Sequence, residues 1–97
     1  MHHKLIVTKP AQDDINQIFE YITKDNPLAA INLIDTFEQK FDILSEFPNS
    51  GFRPALAKSN VRVYVVARNY QIIYQIDGEF VVVARILTRY QDVCFEL

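Results

Sequence analysis

Residues 61–87 read VRVYVVARNYQIIYQIDGEFVVVARIL. Apolar, β-branched and aromatic residues fill three short runs within it, and a turn signal parts each run from the next. Residues 61–67 are the first run, and Arg68-Asn69 marks a turn. Residues 70–76 are the second. Asp77-Gly78 then gives a strong hairpin signal, because glycine reaches positive φ without steric cost. Residues 80–87 are almost continuously apolar, as expected of a strand buried on both sides or central in its sheet. The stretch predicts an antiparallel β-meander.

Toward the N-terminus the periodicity changes. Residues 4–8 (KLIVT) are short and β-branched and read as a first strand. Thr8 or Lys9 can cap a helix that follows. Pro10 suits its first turn, where an amide N–H would be unpaired anyway, and Asp13 and Asp14 suit the positive end of its dipole. Ile15, Ile18, Phe19 and Ile22 fall on one face and carry the helix to about Lys24. Asp25-Asn26-Pro27 breaks and restarts it. A longer helix then runs to about Glu46, with Ile31, Ile34, Phe37, Phe41 and Leu44 as its stripe and Ala29 and Ala30 allowing close approach. Phe47-Pro48-Asn49-Ser50-Gly51 ends it. Residues 52–60 read as irregular, with one helical turn at 55–58. The order is β-α-α-β-β-β. The expected fold is α+β: a meander plus the N-terminal strand, with an antiparallel helical hairpin on one face, enclosing one core.

The 97 residues suit a single domain spanning 1–97, and 49% hydrophobic with 23% charged residues is a globular balance. Cys94 is the sole cysteine, which argues against a disulfide-stapled secreted domain. No signal-peptide pattern or bilayer-length apolar run occurs, so a cytoplasmic protein is expected. The net charge of −2 is unevenly spread. Residues 1–50 carry four basic against eight acidic groups, a balance of −4, and residues 51–97 carry six against four, a balance of +2. An acidic chain argues against direct binding of duplex DNA. Gly51 and Gly78 are the only glycines, so no glycine-rich phosphate loop exists, and neither Cys94 nor His2-His3 has metal-ligand spacing. No cofactor and no metal are expected.

The ordered set IVTKPAQDDINQIFEYI, DNPLAAINLI, LSEFPNSGFRP, VRVYVV, NYQIIYQID and VVVARILTRYQDV resembles the ParE/RelE toxin superfamily over about residues 5–93. The hairpin with NPLAA is closer to the ParE branch. The resemblance implies the toxin of a bacterial type II toxin–antitoxin pair, the class associated with plasmid stabilization. Its cognate antitoxin, ParD-like or other, would wrap it and carry it to operator DNA. Apolar surface left uncovered in the free toxin would favour a homodimer.

The resemblance leaves the target open between two classes. ParE-like members poison DNA gyrase by protein recognition. RelE-like members cut mRNA on the ribosome, which needs a general base, a proton donor and cations around the developing phosphorane. Lys58, Arg62, Arg85, Arg89 and Tyr90 are the groups available for that reaction. Relatives often carry histidine at the position of Thr88 and arginine at that of Gln91, and no histidine follows His3 here. The expected function is therefore gyrase inhibition, with Arg53, Arg62, Arg85, Arg89 and Tyr90 meeting the target. The alternatives are a ribosome-dependent endonuclease and a degenerate toxin that keeps only antitoxin binding. Arg62 and Arg85 also admit a structural role, pairing with a helix carboxylate or lining a sheet edge. Tyr70 and Tyr74 share a strand face and fit the core or an antitoxin groove.

Overall fold

The computed structural model describes residues 3–55 and 60–88. It contains β1 (Lys4–Val7), α1 (Lys9–Asp25), α2 (Pro27–Glu46), a 3₁₀ turn (Pro48–Ser50), β2 (Val61–Val66), β3 (Tyr70–Asp77) and β4 (Phe80–Thr88). The sheet order is β1-β4-β3-β2. The apolar β4 is thus central, parallel to β1 and antiparallel to β3, as its sequence required. The helical turn expected at 55–58 falls largely outside the described residues.

Local chemistry sets the element ends. Thr8 caps α1 by accepting the Ala11 N–H on its hydroxyl. Asn26 serves both helices: its N–H donates to the Ile22 carbonyl, and its side chain accepts the Ala29 N–H. At the β2–β3 turn, Ala67 (φ 52°) and Arg68 (φ 66°) are both left-handed, so β2 stops at Val66 rather than at Ala67. Gly78 (φ 57°) provides the β3–β4 turn signalled by Asp77-Gly78.

The helices cover one sheet face. Ala11 and Ile18 of α1 and Phe37 and Leu44 of α2 pack with Val66, Ile72, Tyr74, Val81, Val83 and Ile86. Tyr70 meets Phe37 edge-on with ring centroids 5.7 Å apart. The stripe of α2 holds at Phe37, Phe41 and Leu44 and differs at its start. Ala30 and Leu33 face inward, while Ile31 is 51% exposed. Steps of three and four leave a choice of about one residue on a helix face, and the small Ala30 takes the inner position. Phe19 is half-buried rather than fully in the core. The single core expected is also incomplete, because Val61, Val63, Ile73 and Leu87 form a second buried cluster. Adjacent residues of a strand point to opposite faces, so Ile73 belongs to the face opposite Ile72. Among the described residues, no helix is long and apolar enough to cross a membrane.

Candidate functional site

The β1 strand ends at Val7, opposite Val83, but β4 continues to Thr88. Among the described residues, the edge of β4 beyond Val83 therefore lacks a strand partner on that side. Side chains of α1 and its cap replace it. The Thr8 hydroxyl lies 3.0 Å from both the Val83 and Ala84 carbonyl oxygens, which share its proton. Asp14 Oδ2 accepts the Ile86 N–H at 2.9 Å.

A bulge makes this possible. Tyr74 pairs with Val83 and Ile73 with Arg85, leaving Ala84 as the extra residue. The shift puts Ile86 on the helix face with Val81 and Val83 and pairs Arg85 with Ile73 on the other, yet the Arg85 side chain still meets α1. Arg85 Nε donates to Asp14 Oδ2 at 2.7 Å and Nη2 to Oδ1 at 3.0 Å, a bidentate pair. The Asp14 side chain is 11% exposed and that of Arg85 41%. The Asp14 hydrogen bond raises the Arg85 pKa above its ordinary value, against a lowering by burial, and the Asp14 charge adds to the rise.

The expectation that Asp13 and Asp14 meet the positive end of the α1 dipole does not hold. The first turn in fact holds no acid. Asp14 lies further along, on the buried face with Ala11 and Ile18. Its spacing of three and four from those residues was the available signal, since a carboxylate on an apolar face needs a cation partner.

Next to this junction a groove of about 420 Å³ runs between α1 and the β3–β4 sheet. Ile18, Ile22, Ile86 and Tyr70 form its apolar wall, with Gln17, Tyr21, Asn69 and Thr88 at the rim. Tyr21 is 74% exposed. Burial raises the Tyr70 pKa.

Arg62 sits elsewhere. Its Nη1 donates to the Gly51 carbonyl at 2.9 Å. The buried Tyr74 hydroxyl donates to the Pro48 carbonyl at 2.7 Å and accepts the Gly51 N–H at 2.9 Å. These bonds fasten the loop after α2 to the sheet. Arg53, Asn60, Arg62 and Ile76 line a shallow recess of about 130 Å³ there. The arginines predicted as one site are thus divided: Arg53 and Arg62 share the loop recess, while Arg85 is held by α1. Lys58, Arg89 and Tyr90 lie outside the described residues. His3 is tied by its backbone to Ser45 of α2. Among the described residues, no group of three His, Cys, Asp or Glu side chains is placed to hold a metal.

Comparison with known proteins agrees with this architecture. The chain is 28% identical to Toxin ParE3 of Caulobacter vibrioides over 85 residues, covering 87% of this chain and 84% of that one. The chromosomal ParDE toxin–antitoxin system from P. aeruginosa contains a chain that superposes with a TM-score of 0.78 at 19% identity, covering 90% of this chain and 96% of that one. The RelBE2 toxin–antitoxin complex from Mycobacterium tuberculosis gives a TM-score of 0.63 at 22% identity, covering 92% of this chain and 100% of that one. The family model describing the ParE toxin of the type II toxin–antitoxin system parDE matches residues 5–93. Since that match takes in nearly the whole chain, the protein belongs to the ParE toxin family of type II toxin–antitoxin systems.

Proposed function

We propose that this toxin acts by binding DNA gyrase and that a cognate antitoxin of the ParD kind neutralises it. The observation carrying this reading is the commitment of the arginines. Arg85 spends two N–H bonds on Asp14, and Arg62 bonds the Gly51 carbonyl from a separate recess. A phosphoryl-transfer site needs several cations converging on one phosphate. Two anchored arginines facing different elements suit recognition of a protein surface better.

The helical hairpin supports an antitoxin partner. Tyr21, Leu28 and Ile31 are 74%, 67% and 51% exposed along it, an apolar strip that binding would cover. Without antitoxin the same strip is the seat of self-association. The alternative of an mRNA endonuclease would draw on Lys58, Arg89 and Tyr90 together with these arginines.

The test is gyrase supercoiling and DNA cleavage in vitro, with toxin added alone or after preincubation with antitoxin. Inhibition or trapped cleavage that antitoxin relieves is the expected result. A toxin that arrests growth yet leaves gyrase unaffected would contradict the reading.

A further inference from the structure

The Asp14–Arg85 pair is open on one side. Asp14 takes the Nε–H and one Nη2–H of Arg85. A guanidinium carries five N–H donors in one plane, so the edge away from Asp14 keeps its own. The Arg85 side chain is 41% exposed, so a partner can approach it. Of the described residues, Asp14 holds the Arg85 side chain through these two bonds.

An exposed arginine normally samples many rotamers and must be immobilised when a partner binds. Here the cost has been met in the fold. Asp14 is itself fixed by the Ile86 N–H, and Ile86 is fully buried in the sheet. Hydrogen bonds thus link strand, carboxylate and guanidinium from the core outward.

We infer that Asp14 is a positioning residue, holding Arg85 so that the outer edge of its guanidinium forms a preset fork for a carboxylate on the protein that this toxin binds. The inference rests on the reading of a protein target. Charge favours a carboxylate over a nucleic-acid phosphate. The first 50 residues carry the chain's net acidity, although Asp13, beside Asp14 on α1 and 52% exposed in its side chain, is itself paired with Lys9 at 3.5 Å. A backbone bearing a charge at every nucleotide would meet that repulsion repeatedly, whereas one carboxylate aimed at Arg85 would not.

The experiment compares wild type with Asp14→Asn, Arg85→Lys and Arg85→Met, each first shown by circular dichroism to be folded. Asp14→Asn keeps an acceptor for the Ile86 N–H but turns the pair off with Arg85 still present. Arg85→Lys keeps the charge and loses the fork. Inhibition of purified gyrase should weaken about tenfold in all three, with no rescue by lysine, and the salt dependence of inhibition should flatten in Arg85→Met. Folded variants with lowered melting temperatures but wild-type inhibition would mean a purely structural pair and overturn the proposal. Should Asp14→Asn not fold, the failure of Arg85→Lys to match wild type decides.

Growth arrest on induction is the second readout. If wild type arrests growth without touching gyrase, the gyrase reading fails by itself. Loss of arrest in the folded variants would then still support the fork, and full arrest would refute it. Binding of a single-stranded RNA oligonucleotide that disappears in Arg85→Met would replace the carboxylate with a phosphate and overturn the assignment.

Discussion

At Gly51 the backbone is extended (φ −78°, ψ 162°), a conformation open to any residue, yet a Cβ there would lie 2.5 Å from the Tyr74 hydroxyl oxygen and 2.7 Å from the Val63 carbonyl oxygen. Close approach, not φ, demands the glycine. Gly51→Ala should destabilise by about 1–3 kcal/mol through overpacking. Tyr74→Phe should cost a similar ~1–3 kcal/mol, because the Gly51 N–H loses its acceptor and the Pro48 carbonyl its donor. Urea midpoints at constant slope would measure both; unchanged midpoints would refute the loop clamp. Tyr74 also makes stability depend on alkaline pH. Burial raises its pKa above the ordinary 10.0, opposed by the Gly51 hydrogen bond and the Arg62 charge. The folded state then holds the proton where the unfolded chain releases it. The contribution is full below about pH 10 and is lost as pH rises through the folded value. Melting temperature should fall above that pH, and less steeply in Tyr74→Phe.

At the scale of elements, α1 closes the part of β4 that β1 is too short to reach. Thr8 is both the helix cap and a donor to the bulged carbonyls of Val83 and Ala84. Thr8→Val, nearly isosteric, should lose about 1–2 kcal/mol, and Thr8→Ser should recover most of it; equal thermal stability of Thr8→Val and wild type would contradict the double role. The elements themselves were legible in the sequence. Their periodicities, the Pro10 and Pro27 starts and the Asp77-Gly78 turn are local signals, and local chemistry decides them. The ParE resemblance lay in the order of those elements. The bulge was not legible, because Val82-Val83-Ala84 offers no break in its apolar run; the extra residue shows only against the register of β3. Arg85 could be read as either a helix-carboxylate partner or a target contact, but the acid that meets it lies 71 residues away. The burial of Ala30 and exposure of Ile31 at the start of α2 were likewise not set by the helix period alone.

At the scale of the whole molecule, the sheet carries basic groups on a chain that is acidic overall. Among the described residues, the Asp14–Arg85 pair spans the two kinds of surface. The helical hairpin offers exposed apolar side chains at Tyr21, Leu28 and Ile31, while the arginines of the sheet are anchored individually. That division suits a toxin with one apolar surface for its antitoxin and fixed polar contacts for its target. The most direct test of a gyrase-binding toxin is made in cells, by inducing it without antitoxin and following gyrase-linked DNA breaks and mRNA 5′ ends in the same culture. The account predicts that DNA breaks accumulate within the first minutes of growth arrest while mRNA ends keep their uninduced pattern. New mRNA ends at ribosome-bound codons, with intact DNA, would contradict it.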